Sequence, residues 1–425
     1  METHVHQGHH FYSPLFIVVA IFGIGRVNRT VYTPALRAAA AFAAIALCGS
    51  AQSEAASVAV NSSTTWYVGP DRNGTNTFTS PLAAFSSGQL KNGDTVLIDA
   101  CTYTNDYNGA SNNDLSAAVT IDAVASSSPH CIITDPWSGK YPDHPPMAVI
   151  TLTMCVDPSQ LCYWGVAKGE WNIDVGGVTI NHIAFLNAFN LPGASNGAGL
   201  RVEMPSGTLT VNNSVFAHNQ NGILGTTGGV VVLNNDEFWD NGLGGCYDQC
   251  THQIYLSESQ VTINNGYFHD MATTVTPYDS PPLMAGVGNQ IKSRSPNTTI
   301  IHTRIYEGNS ESSYKVDIPN GGNLLIQNSV IQQGPNTQQS RIIEIGAEGV
   351  KNPTSRLQIV GNTIINDFTG STITLTQGVT TVTAQFNNNK LWGLTSATLS
   401  VGPVKLSDNI ALTARPALDT SSPVR

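Results

Sequence analysis

From residue 178 onward one short pattern returns along the chain: an apolar or β-branched position, any residue, an apolar position, any residue, a turn-former, two more residues, then an aromatic or aliphatic one. It is read in Val178–Phe185, Leu209–Phe216, Val231–Phe238, Val261–Phe268, Thr299–Tyr306, Leu324–Ile331, Leu357–Ile364, Ala384–Leu391 and Val404–Ala411. The alternation inside each copy predicts a strand with one buried face. The register holds within the motif while the spacing between copies varies, which is the signature of a solenoid with loops of unequal length. The fifth position reads His182, Asn213, Asn235, Asn265, Thr303, Asn328, Gly361, Asn388 and Asp408. Asn, Gly and Asp tolerate the left-handed backbone region, so one such residue per coil bends a strand without breaking the stack. Three positions further on, Phe185, Phe216, Phe238, Phe268 and Tyr306 should stack inside the molecule. A β-sandwich would also alternate, but it does not explain a turn residue at one fixed offset in nine segments.

Earlier in the chain, Trp66-Tyr67-Val68-Gly69, Ser80 to Phe85 and Asn92 to Ile98 read as a first strand, a capping helix around Pro81–Leu90 and a first rung. A first coil without a cap would expose an apolar face and free strand edges. With these features residues 64–412 resemble the right-handed parallel β-helix proteins of the pectate-lyase-like superfamily. The resemblance implies an all-β solenoid with an N-terminal capping helix. It implies little about chemistry, because this fold hosts lyases, hydrolases, epimerases and inert adhesins.

Composition narrows the picture. Of 425 residues, 41% are hydrophobic and 11% charged, with 19 Lys+Arg against 29 Asp+Glu. The resulting charge of −10 argues against wrapping nucleic acid. Two short apolar stretches, 15–24 and 38–47, open the chain. The second carries a basic flank and a small-residue cleavage site, so residues 1–55 read as a secretory signal, 56–412 as the helix domain and 413–425 as a tail. An N-terminal anchor is the alternative. The first stretch is too short for a comfortable membrane span. The expected location is therefore secreted, periplasmic or cell-surface. Six cysteines then remain, an even number that reads as disulfides in an exported chain. Spacing suggests Cys246–Cys250 and Cys155–Cys162, leaving Cys101–Cys131. Zinc is the alternative, though no C-x-x-C occurs.

Candidate chemistry sits on the strand after each motif. Aligned on Ile254, Ile291, Val316 and Ile343, the position after the central residue reads Glu203, Leu224, Tyr255, Lys292, Asp317 and Glu344. The strand period sends this column outward. Gln290, Lys315 and Arg294 flank it, and long inserts at 187–198, 240–251 and 269–288 should wall a groove beside it. Tyr255 is a candidate platform for a sugar ring, and Gln290, Lys315 and His252 are further candidate substrate contacts. His252 and His269 are candidate bases. The resemblance implies β-elimination on a uronic-acid polymer, with Lys292 as base, Arg294 holding the uronate carboxylate, and Asp317, Glu344 and Glu203 as oxygen ligands for Ca²⁺. An acidic polysaccharide is the expected partner. Hydrolysis by Asp317 and Glu344, a non-catalytic adhesin, and a plain surface ion ladder remain alternatives.

Overall fold

The computed structural model describes residues 62–104, 106, 114–132, 145–152, 168–188, 197–226, 228–242, 251–272, 288–394 and 399–425. The expected signal at 1–55, Cys155, Cys162, Cys246, Cys250 and most of the three long inserts lie outside the described residues.

The coils build three parallel sheets of 13, 11 and 10 strands. In one full coil Val178–Asn181 belongs to the first sheet (A), Ile183–Leu186 to the second (B) and Ala198–Val202 to the third (C). The next strand of sheet A, Thr208–Asn212, pairs in register on the first. The crossovers take the right-handed sense that parallel connections favour, and the chain is a right-handed parallel β-helix. Among the described residues no helix is long and apolar enough to cross a membrane.

The A-to-B corner is built by the turn residue. Asn213, Asn235, Asn265, Asn328 and Asn388 all have φ between 50° and 57°, and His182, Gly361 and Asp408 take the same conformation. Asparagine amides also bridge rungs: Asn265 Nδ2 donates to Asn235 Oδ1 at 2.8 Å. A second ladder runs one residue earlier, from Asn264 through Asn234 and Asn212 to Asn181. One rung departs from the sequence reading. His302, at φ 52°, holds the corner where Thr303 was expected. Thr298 pairs with Leu324 and Ile300 with Ile326, so Ile305 rather than Tyr306 enters the interior. Two doublets, Thr298-Thr299 and Ile300-Ile301, make both registers look apolar.

Inside, Phe185, Phe216, Phe238 and Phe268 are fully buried and stacked at centroid separations of 5.1, 4.7 and 4.5 Å. Trp171 closes the stack below, edge-on to Phe185. The helix Pro81–Ser86 caps the N-terminal end, begun by Ser80, whose hydroxyl accepts from Ala83 N–H. Trp66 of the first strand, Thr65–Val68, packs on the same interior. Cys101 and Cys131 form a disulfide with 5.1 Å between Cα atoms.

The tail crosses the outer face of sheet B. Arg415 pairs with Asp367, Asp419 with Arg304, and Ser422 hydrogen-bonds Glu237. Val424 is buried in an apolar patch of Met147, Val149, Ala184, Leu186, Val215 and Ala217.

Candidate functional site

The candidate column lies on sheet C. Strands Ile254–Leu256, Ile291–Ser293, Val316–Ile318 and Arg341–Ile345 place Ile254, Ile291, Val316 and Ile343 in the core. Alternation then sends the following residue outward. The pairing is Tyr255 to Lys292, Lys292 to Asp317 and Asp317 to Glu344, one rung apart each time.

The lower end of the column differs from the sequence alignment. Leu200, not Val202, pairs with Ile223, so Arg201 stands beneath Leu224 where Glu203 was expected. Glu203 instead pairs with Lys168 and Arg201. It lies four rungs below Asp317, about 19 Å at the usual strand spacing. It therefore does not join Asp317 and Glu344 in a ligand set, and no cluster of three metal-ligating side chains occurs among the described residues.

The column is outward but largely covered. Lys292 has a side chain 10% exposed, between Asp317 Oδ2 at 3.5 Å and Glu348 Oε1 at 3.0 Å. Arg294, two residues on, bonds Glu348 Oε2 and the Tyr255 hydroxyl. Both cations sit over the Tyr255 ring, with Lys292 Nζ 5.5 Å and the guanidinium carbon 5.0 Å from its centroid. Tyr255 is thus a platform for these two cations. On the next rungs, Asn289 Nδ2 donates to Asp317 Oδ2 at 2.8 Å, and Arg341 pairs with Glu344 at 3.1 Å. Burial pushes the Asp317 carboxyl up to about 7, with Lys292 opposing it, and Glu344 is also raised by burial. Glu348 goes the other way: burial acts upward, but the bond from Lys292 and the charges of Lys292 and Arg294 bring it below the usual range.

Two buried polar atoms here have no hydrogen-bond partner, Asp317 Oδ1 and Arg294 Nε. Such atoms are uncommon in folded proteins because each forfeits its hydration.

His252 stands behind this array. It is buried, edge-on to Tyr255 at 5.3 Å, and its Nδ1 accepts the Asn289 backbone N–H at 2.9 Å. Burial, then the nearby Lys292 and Arg294, push it well below its ordinary pKa, so it is neutral. Its place is to position Asn289, which in turn holds Asp317. Gln290 and Lys315 do not share the outward direction of the column. One residue before the central position the strand turns its side chains toward the B-to-C corner. Gln290 Nε2 donates to Tyr306 O, and Lys315 is fully buried against Glu307 at 2.7 Å. These two lock the corner and offer nothing to a substrate from the groove side. His269 lies on sheet B, between Glu237 and Asp270, far from the column.

Sequence reasoning missed Glu348, Asn289 and Arg341. Glu348 stands on the turn after Arg341–Ile345, where no periodicity reports direction. Asn289 precedes the strand by two residues and is placed by the same corner that buries Gln290.

No protein-family model matches the chain, and no curated protein matches it. Among solved structures it is similar to a crystal structure of pectate lyase Pel9A, at 16% identity over 84% of this chain and 80% of that chain, with a TM-score of 0.39. At that distance nothing of that protein's chemistry is carried over, and the site stands on its own geometry.

Proposed function

We propose that the face of sheet C binds an acidic polysaccharide and cleaves it by β-elimination, in a chain that is exported. The observation that supports this most is the pairing of Lys292 and Arg294 on one carboxylate beside an aspartate held near neutrality. Elimination from a uronate needs these parts. Arg294 holds the sugar carboxylate, offsetting the charge that develops as the C5 proton leaves. Lys292 Nζ is the group placed to take that proton. The C4–O4 bond breaks, the leaving oxygen takes a proton from Asp317, and a C4=C5 double bond remains. A carboxyl near pH 7 suits that donation. The Cys101–Cys131 disulfide fits an oxidising compartment.

Asp317 and Glu344 are the carboxylates a calcium ion would use, but each already faces a cation, Lys292 or Arg341. The donor set does not fit a bare divalent ion, and no step is routed through one. Hydrolysis draws less support. Asp317 and Glu344 are on adjacent rungs, about 5 Å apart, as a retaining pair would be. Both are shifted upward, however, whereas such a pair needs one acid and one ionised nucleophile.

The test is incubation of the purified chain with polygalacturonate, alginate and a neutral glucan. Growth of the ultraviolet absorbance of an unsaturated uronate supports elimination. New reducing ends without that absorbance would assign hydrolysis, and binding without cleavage would leave an adhesin.

A further inference from the structure

We infer that Glu348 is a built-in mimic of the substrate's carboxylate, occupying the uronate position in the resting molecule and leaving when an acidic sugar enters; the inference rests on the reading of sheet C as a polyuronate site. Glu348 is the outermost member of the array. Its side chain is 35% exposed, against 10% for Lys292 and 3% for Asp317. Its two oxygens are divided between two cations, Oε1 to Lys292 and Oε2 to Arg294. A sugar carboxylate would take the place of Glu348 against Arg294, leaving Lys292 Nζ to face the C5 proton.

Three features make the contact displaceable. An ion pair this exposed contributes little net stability. The turn that carries Glu348 is short and is pinned through its backbone, with Glu348 N–H donating to Pro319 O at 3.0 Å and Gly349 N–H to Gly346 O at 3.2 Å. The side chain can therefore leave while the turn stays docked. Gly346 and Gly349, at φ 81° and 90°, give that turn its shape without side chains of their own over the site.

The leftover atoms say what the mimic lacks. With Glu348 in place, the Arg294 Nε donor and the Asp317 Oδ1 acceptor stay unpartnered. Glutamate brings acceptors only, and both are spent on Lys292 and Arg294 Nη2. A uronate brings a carboxylate with hydroxyl groups beside it. It can give Nε an acceptor and Oδ1 a donor at once, so it outcompetes the internal carboxylate. A neutral sugar offers no carboxylate to replace the one displaced, and Arg294 would be left without its carboxylate partner. Glu348 thus acts as a specificity filter for acidic sugars.

The experiment is titration of the full chain and its Glu348→Gln and Glu348→Asp variants with a galacturonate oligosaccharide and with the same oligosaccharide after reduction of its carboxylates to alcohols. Glu348→Gln is expected to bind the acidic oligosaccharide roughly two- to fivefold more tightly, about what relief of one competing exposed ion pair supplies. Glu348→Asp, too short to span both cations, should fall between it and the parent, and the reduced oligosaccharide should show no gain. Melting temperatures check that each variant folds. If the parent binds or cleaves polyuronate and Glu348→Gln binds it no better, the mimic is refuted while the proposed function stands. If the gain extends equally to the reduced sugar, Glu348 is a steric cover and the mimic is again refuted. If neither parent nor variant binds any acidic sugar, both readings fall.

Discussion

Sheets B and C both carry charged and aromatic residues on their outer faces, yet the two faces are finished differently. On sheet B every charge discussed is met by a neighbour or by the tail: Arg304 by Asp419, Asp367 by Arg415, Glu237 by His269 and Ser422. An apolar patch beside them is closed by Val424. On sheet C the cover among the described residues is Glu348 from a short turn, and a donor and an acceptor remain unmatched beneath it. Charge alone therefore does not mark a functional face. What marks the column on sheet C is an unmatched donor and acceptor beneath an exposed ion pair.

The largest expected effect that would break this contrast concerns Lys292. If sheet C is the reactive face, Lys292→Ala should lower the rate of polyuronate cleavage by about 10²–10⁴-fold. It should also cost stability, on the order of 1–2 kcal/mol, because Asp317 loses the cation facing it in a buried setting. The sequence, which reads Lys292 as a freely exposed side chain, would expect the melting temperature to stay put. Cleavage at the parent rate would end the assignment.

Deleting residues 413–425 tests the other face. Loss of Val424 burial and of the Asp419 and Arg415 pairs should cost roughly 2–4 kcal/mol. Oligosaccharide binding at sheet C should be unchanged in calorimetric titration. A truncated chain that unfolds at the parent denaturant concentration would show the tail to be a passive passenger.

Two buried carboxyls, Asp317 on sheet C and Glu258 in the turn that leaves it, sharpen the contrast through pH. Asp317 is pushed up to about 7 and Glu258 to about 8, both first by burial. A carboxyl raised on folding binds its proton more tightly in the native state, so its contribution is full below about pH 4 and is lost as pH rises through 7 to 8. Chemical denaturation should show stability falling from pH 5 to 8. Glu258→Gln and Asp317→Asn should each flatten that slope, and an unchanged slope in both would show that neither carboxyl is protonated in the native state. The smallest effect is expected at Arg415. Its pairing with Asp367 is bidentate but half exposed, so Arg415→Ala should cost under about 1 kcal/mol.

Much of the fold was legible because its corners are chemical. A residue that accepts positive φ, repeated at one offset, fixes where each strand of sheet A ends, and eight of the nine assigned positions hold that corner. The register slips have a common physical origin. A shift of two along a strand preserves the inward face, so Val202 could be taken for Leu200, and Glu203 took the place of Arg201. A shift of one normally flips every side chain, but at 298–301 paired β-branched residues hide the flip. Lys292, Asp317 and Glu344 were legible because three strands share one alternation. Lys315 was not, since its direction is set by the corner and by Glu307, which arrives from sheet B. Glu348 was beyond any periodic reading, because a turn has none.

The tail has one more consequence. A solenoid is nearly one-dimensional: each coil touches only its neighbours, and such stacks can unzip from either end, one repeat at a time. Here a single segment touches Asp367 beside the strand Thr363–Asn366 and reaches a patch that includes Val149 of the strand Ala148–Thr151, seven strands away along sheet B. It couples distant coils that would otherwise report to one another only through all those between. Fraying of the upper coils then releases the strap from the lower ones, turning a row of near-neighbour equilibria into a more concerted transition.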